Sequence, residues 1–414
     1  MFRLPLNGVR VLDLTMAWAG PYATRLLADM GAEVIKIEAV NNWDLLRTYT
    51  GQPPNVDQVW DKAPYFNHVN RNKYGCALDL SQPRGREVFL RLAEMSDVVI
   101  ENFRTEVMEN LQLTYEALAA VNDKLIVVSM PGHGKTGPER GFVAYGTNVE
   151  QLSGLAHLTG YENGPPQKTG ISYGDPVAGM AAAGAIALAL WDRRRSGRGQ
   201  YIEVAQRENL INLIGENVVA FSWSRQEPAR RGNRHSSMAP HGCYPCAGDD
   251  QWVTIACQTD AQFAALSVVM GQPELARDGR FADVVSRYRH QDELDAIVRG
   301  WTASRAKEEV AEALQASGVP AMPVLSVPEV FQDTHLRARG FFEPVSQAAA
   351  GVWEMEGPHW RMSESPAHVR LPAPLFAEHN DYVFRELLGL SDEEVEALKA
   401  KGVTGDAPNW AVHE

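Results

Sequence analysis

The chain has 414 residues, 45% of them apolar and 22% charged, which leaves room for two or three domains and a core that needs no covalent staples. A formal charge of -13 argues against nucleic acid as the main partner, because phosphate backbones are held by concentrated basic surface; a local basic pocket for a small anion stays compatible with it. Four cysteines, Cys76, Cys243, Cys246 and Cys257, are too few and too unevenly spaced for a disulfide framework.

Val9 to Leu14 reads as a short apolar strand, Gly20-Pro21 opens a helix that Gly31 ends, and Ala32 to Glu38 is the next strand. Proline suits a first helical turn, and a strand–helix–strand unit of this length places its strands in parallel. A helix from Pro83 to Met95 leads to the strand Asp97 to Ile100, and Leu125 to Met130 is a further strand. The pattern predicts an open α/β sheet of Rossmann type. The turn after the first strand, Thr15 to Gly20, lacks G-x-G-x-x-G, so it has no glycine cradle for a dinucleotide pyrophosphate.

Helix is predicted over Asp175 to Arg195, strand over Gln200 to Val204, and helix again over Gln206 to Trp223. The polar segment 224–240 reads as a linker. A smaller α/β piece over 241–330 follows, with strands Trp252 to Ala256 and Ala321 to Leu325 and helix Lys307 to Ser317. Residues 331–414 read as a return segment that completes the large domain begun by 1–223, ending in an amphipathic helix Asp392 to Lys401 with Ser391 as N-cap. The nearly uncharged run Pro176 to Trp191 falls short of the ~20 residues that span a bilayer and reads as a buried helix. The opening residues run straight into a strand pattern, so no secretory leader, no membrane partner and a cytoplasmic location are expected.

Asp175 stands before Pro176 at the head of an apolar helix, with Gly174 and Gly179 nearby. Locally this is an N-cap followed by a proline at the first helical position. A carboxylate there is expected to be kept ionised by the helix dipole, and an accessible ionised carboxylate is a competent nucleophile toward a thioester.

Leu6 to Leu14, Ala19-Gly20-Pro21, Gly31 to Glu38, Asn70-Arg71-Asn72-Lys73, Glu101-Asn102-Phe103-Arg104, Leu152-Ser153-Gly154, Gly174-Asp175, Gly197 to Gln200 and Gly232-Asn233-Arg234 occur in that order. With this succession the chain resembles the class III CoA-transferases, a group that includes formyl-CoA transferase, carnitine CoA-transferases and α-methylacyl-CoA racemase. The resemblance implies a Rossmann-like large domain with an inserted smaller one, and a dimer of interlocked rings, from one chain or from two paralogous subunits. It implies CoA transfer from an acyl-CoA, succinyl-CoA being the best single guess, to a free carboxylic acid such as a dicarboxylate, benzylsuccinate among them. CoA is then a substrate, with no tightly bound cofactor and no metal. Asp175 falls on the family's nucleophile, which passes through an aspartyl anhydride and an aspartyl-CoA thioester.

The family's CoA contacts fall on Trp18, Ala19, Glu38, Asn72, Lys73, Asn102, Phe103 and Arg104, with Lys36, Lys73 and Arg104 as candidates for the phosphates. Two positions depart from formyl-CoA transferase: Trp18 replaces a glutamine and Ala39 an arginine. Tyr145 falls where the racemase branch carries a histidine base, and His133 and His157 do not align with it. A phenol titrating near ~10 is a poor base at neutral pH, so transfer ranks above racemisation; a non-catalytic paralogous subunit is the other alternative. His241 and Gly242, with Tyr145, are read as facing the substrate. Cys243 and Cys246 form a single C-x-x-C beside His241; metal or redox chemistry ranks below a structural role, since one such pair is half of a zinc site.

Overall fold

The computed structural model describes residues 4–49 and 57–409. Within them the chain divides into two units, one comprising 4–156, 168–226 and 337–409 and the other 157–167 and 227–336. The short stretch 157–167, which the sequence pattern left with the large domain, groups with the smaller unit, as does the polar run from Glu227 onward.

The first unit is built on six parallel strands: β1 (Arg10–Asp13), β2 (Glu33–Glu38), β3 (Lys73–Ala77), β4 (Val98–Glu101), β5 (Ile126–Ser129) and β6 (Tyr201–Glu203). Their order is β3-β2-β1-β4-β5-β6, the doubly wound Rossmann arrangement. Successive residues point to opposite faces and both faces are apolar, as a sheet covered on both sides requires. Leu12, Leu14, Ile35 and Ile37 pack on Val88, Phe89 and Leu92 of the helix Pro83–Glu94. Val11, Val34, Val98 and Ile100 pack on the other face, against α1 (Ala19–Asp29) and the long helix Gly174–Ser196.

The return segment belongs to this unit. It contributes a hairpin, Phe342–Gln347 paired with Gly351–Glu356, and the helix Asp392–Ala400, which Ser391 and Glu394 start as a capping box. The Asn72 side chain fixes the segment to the sheet edge by accepting from the Arg370 and Leu371 amides at 2.7 and 2.9 Å.

The second unit carries an antiparallel sheet of His241–Pro245, Trp252–Ala256 and Ala321–Pro323. Its core gathers Val253, Ile255, Phe263, Phe281, Leu294, Val298 and Leu314.

The helix Gly174–Ser196 is the one helix among the described residues with the length and composition of a membrane span. One side of it, with Ala178, Gly179, Ala182 and Ile186, packs into the core of the first unit against α1, and Arg193 in its last turn is bound to Asp97. Met180, Leu188 and Trp191 are exposed, so the buried helix expected from the sequence is buried on one side.

Candidate active site

Four helices of the first unit meet around Asp175: α1, α2 (Pro64–Asn70), α3 (Gly146–Ser153) and α4 (Gly174–Ser196), with α5 (Gln206–Leu213) packed behind the start of α4. Small residues set the approach. A Cβ on Gly179 would stand 2.6 Å from the Ala19 carbonyl oxygen, so glycine lets α4 press on the α1 backbone. A Cβ on Gly174 would meet Leu210 at 2.8 Å, and one on Gly146 would stand 2.0 Å from Oδ2 of Asp175. The Asp175 carboxylate therefore lies on the first turn of α3, against a residue with no side chain.

Two expectations about Asp175 are corrected. The helix begins one residue earlier, at Gly174, with Tyr173 at the N-cap position, so Asp175 sits inside the first turn and caps nothing. The backbone donors of the entering turn are taken by Glu150 of α3. Its buried carboxylate accepts from the Tyr173 amide at 2.5 Å, the Thr169 amide at 3.2 Å and the Thr169 hydroxyl at 2.9 Å. The Asp175 carboxylate is left with no hydrogen-bond or ion-pair partner among the described residues, while its backbone amide donates to the Ser172 carbonyl. Nor is it held ionised. Burial, and then the negative charge of Glu150, push its carboxyl up to about 7. The dipole at a helix N-terminus favours the charged form by only ~0.3–1 kcal/mol, less than the desolvation of an unpaired carboxylate opposes it.

Beside Asp175 stands an aromatic group. The Tyr65 phenol is pushed up by burial and then by Asp175, which places the two in one electrostatic neighbourhood. Tyr65 packs edge-on against Trp18 at 5.4 Å and Tyr49 at 6.4 Å. The indole N–H of Trp18 is buried without a partner among the described residues.

The loop after β1 lies at the switch point of the sheet, where β1 has β2 on one side and β4 on the other and where open α/β sheets bind their ligands. Asn102, at the end of β4, accepts from the Met16 amide and donates to the Met16 carbonyl, both at 2.8 Å. The Ala17 amide donates to Asp44 at 3.0 Å, and Ala17 itself has φ 62°. Asn102 thus acts by shaping the loop.

Several other expected ligand contacts are also spent inside the protein. Lys73 donates to Asp13 at 2.9 Å, to the Pro21 carbonyl at 2.9 Å and to Asn70 at 2.8 Å, which uses all three ammonium protons. Lys36 is paired with Asp44 at 2.9 Å and the Thr15 carbonyl at 2.7 Å. Glu38 holds Arg47 at 2.8 Å, and the Asn72 amide holds Asp29 at 2.7 Å. All four side chains are buried. The side chains of Glu38, Asn72, Lys36 and Lys73 are therefore bonded within the protein and brace the fold.

The remaining positions divide by exposure. Ala19 is buried as the first residue of α1, and Trp18 caps it. Phe103 packs half-buried on the sheet core while its amide donates to Glu101 at 2.7 Å. Arg104 is exposed beside them, a cation at the carboxyl end of β4. Tyr145, 65% exposed, is the N-cap residue of α3 and adjoins Gly146 in the chain. His241 and Gly242 lie on a strand of the second unit and line a cleft of about 420 Å³ with Asn233, Arg234 and Cys243. His241 is anchored through Nδ1 to the Asn233 carbonyl at 2.6 Å. Cys243 and Cys246 sit on and just after that strand, and burial raises both thiols. Glu150, Gly146 and Tyr65 went unread in the sequence. A lone glutamate on an eight-residue helix looks like a solvated charge, and its partners are amides some twenty residues further on.

The site thus combines a doubly wound α/β unit with a half-buried carboxylate, unpaired among the described residues, at a helix start, a fold that by itself fixes no chemistry. The chain belongs to CoA-transferase family III, whose sequence pattern matches residues 6–380, and it is accordingly a CoA-transferase. It is 35% identical over 399 residues to the succinyl-CoA–D-citramalate CoA-transferase of Chloroflexus aurantiacus, covering 96% of this chain and 98% of that one. It is 34% identical over 403 residues to the β subunit of succinyl-CoA–L-malate CoA-transferase from the same organism, covering 97% and 98%. Among solved structures, a CAIB/BAIF family protein from Brucella suis superposes with a TM-score of 0.84 at 32% identity, covering 93% of this chain and all of that one.

Proposed function

We propose that Asp175 is the nucleophile that carries CoA from succinyl-CoA to a second, dicarboxylic acid. The observation that supports this best is its setting: a half-buried carboxylate with no donor bound to it among the described residues, lying against Gly146. A carboxylate stripped of hydrogen bonds is a stronger nucleophile when ionised than one in water, because no solvation shell has to be shed. With its proton affinity raised to about 7, a sizeable fraction is ionised at neutral pH.

The sequence of steps balances without water or a metal. An Asp175 carboxylate oxygen attacks the succinyl thioester carbonyl, the C–S bond breaks, and CoA leaves as thiolate with an aspartyl-succinyl anhydride behind it. The thiolate then attacks the aspartyl carbonyl, which releases succinate and leaves an aspartyl-CoA thioester. The acceptor carboxylate attacks that thioester to give a second anhydride and thiolate again. Attack of the thiolate on the acceptor's carbonyl yields the new acyl-CoA and restores Asp175. The loop Thr15–Trp18, held by Asn102 and Asp44, and the exposed Arg104 at the same end of the sheet supply a site for CoA.

Succinyl-CoA as donor is supported by the names of both Chloroflexus relatives, and the acceptor class by D-citramalate and L-malate in those names. The enzyme works in this reading in the cytoplasm, as a dimer of interlocked rings. Since one relative is called a β subunit, the second ring is either a copy of this chain or a paralogue.

The test is Asp175→Ala assayed with succinyl-CoA and a panel of dicarboxylates. Transfer is expected to fall by on the order of 10³-fold or more with the fold intact. Transfer within tenfold of wild type would refute the assignment.

A further inference from the structure

The sharpest unexplained feature beside Asp175 is a second carboxylate. Glu150 is wholly buried on α3, has no cation bound to it among the described residues, and stands next to the residue proposed as nucleophile. A buried charge without a counter-charge is costly unless hydrogen bonds hold it. Here those bonds all come from one place, the Thr169 amide and hydroxyl and the Tyr173 amide. These donors bracket the turn that enters α4. The turn's next link, the Asp175 amide to the Ser172 carbonyl at 3.1 Å, sets where the Asp175 side chain leaves the backbone.

We propose that Glu150 is a positioning residue of the transfer reaction, which holds the turn 169–173 in the course that lays the Asp175 carboxylate against Gly146, clear of donors. The proposal rests on the reading of Asp175 as nucleophile. By taking the amides of the entering turn, Glu150 occupies the role that a capping aspartate would fill. Asp175 is thereby released from capping and can face the substrate. An uncharged residue could satisfy only part of that donor set, because an ionised carboxylate offers two acceptor oxygens and a glutamine one.

The negative charge has a second effect, on pH dependence. The groups facing Asp175 are Glu150 from α3 and Tyr65 from α2. Helix α1 presents Ala19 and Tyr22 to the glycine side of α4, and α5 presents Leu210. Arg207 on α5 is turned away, to Glu139 and the Leu152 carbonyl. No cation is paired with Glu150 among the described residues, so ionisation of Asp175 requires two like charges to coexist, which moves the reactive form to higher pH.

The experiment compares wild type, Glu150→Gln, Thr169→Val and Asp175→Ala in steady-state transfer from succinyl-CoA between pH 5 and 9. Glu150→Gln keeps an acceptor for Tyr173 and the volume, and removes the charge. Its acidic limb of kcat/KM is expected to move to lower pH by roughly one unit, while kcat at the optimum falls by roughly ten- to a hundredfold as the turn loosens. KM for succinyl-CoA should stay within about threefold of wild type. Thr169→Val removes one donor and leaves the charge, so kcat should fall by a few-fold with the acidic limb unmoved. A Glu150→Gln enzyme with wild-type limb and wild-type kcat overturns the proposal. Should Glu150→Gln not fold, a Thr169→Val enzyme with unchanged kcat overturns it equally. If instead Asp175→Ala keeps its activity, the nucleophile assignment itself fails, a result distinct from either.

Discussion

Beneath the ends of β1, β2 and β3, Asp13, Glu38 and Asp44 each meet a cation, Lys73, Arg47 and Lys36, at 2.8–2.9 Å. At the start of α4, Asp175 meets another carboxylate instead. Both regions bury acidic groups in the same unit, and the proton affinities part accordingly. Burial alone would raise Asp13 and Glu38. The lysines around Asp13, and Arg47 beside Glu38, outweigh it and hold both carboxyls below the usual range. For Asp175 burial and its neighbour act in the same direction. The first arrangement fixes a loop and the edge of a sheet; the second keeps a carboxylate reactive at a cost in stability. Burial by itself therefore does not mark a catalytic acid. The sign of the nearest charge separates the two.

The comparison can be broken from either side. Lys73→Met removes the cation nearest Asp13 and three hydrogen bonds, so urea unfolding should show a loss of about 3–5 kcal/mol. A loss below about 1 kcal/mol would mean that the pairing does not stabilise the fold. Gly146→Ala attacks the other region. Its Cβ would fall on Oδ2 of Asp175, so the carboxylate must turn away, and kcat should fall by roughly ten- to a hundredfold. The melting temperature should barely move, because alanine favours the helix by about 1 kcal/mol and offsets the displacement.

The smallest expected effect concerns stability. The native Asp175 carboxyl titrates near 7 and the unfolded one near ~4. Between those values the native state holds a proton that the unfolded state has lost, so stability falls as pH rises through this window and the penalty is complete above it. Asp175→Asn removes the titration. It should be more stable than wild type by roughly 1–3 kcal/mol at pH 8, allowing for partial exposure, and show no gain near pH 4. An equal gain at both values would assign the effect to something other than ionisation.

Much of the first unit was legible because its signals are local. Val9 to Leu14, Ala32 to Glu38 and Leu125 to Met130 carry β-branched and other apolar residues on both faces, and the observed strands fall inside each. β3 was not read, because Lys73-Tyr-Gly-Cys-Ala has a glycine at its centre and none of the β-branched residues that mark β1 and β2; Asp13, the Pro21 carbonyl and Asn70 satisfy the buried lysine that opens it. The predicted single helix Gln206 to Trp223 breaks at Ile214 into Gln206–Leu213 and Gly215–Ser224. No proline marks the break, and Gly215 was too weak a signal.

At the site, the position of Asp175 was readable and its environment was not. Asp-Pro at a helix start specifies a cap in any local scheme, and the displacement of that cap depends on Glu150, twenty-five residues earlier in the chain. The internal bonding of Lys36, Glu38, Asn72 and Lys73 was hidden for a related reason. A polar side chain looks the same in the sequence whether it faces solvent, a ligand or a buried partner, and the partners Asp44, Arg47, Asp29 and Asp13 lie elsewhere in the chain.

The central claim, that the unpaired Asp175 carboxylate takes up CoA covalently, is tested most directly by mass spectrometry. The enzyme is incubated with succinyl-CoA and trapped with hydroxylamine or borohydride, and the peptide containing Asp175 is mapped. The account predicts a modified Asp175 in wild type, formed without the acceptor acid and absent from Asp175→Ala. Efficient transfer with an unmodified Asp175 peptide, or exchange of the α-hydrogen of a 2-methylacyl-CoA with solvent deuterium without any adduct, would contradict it.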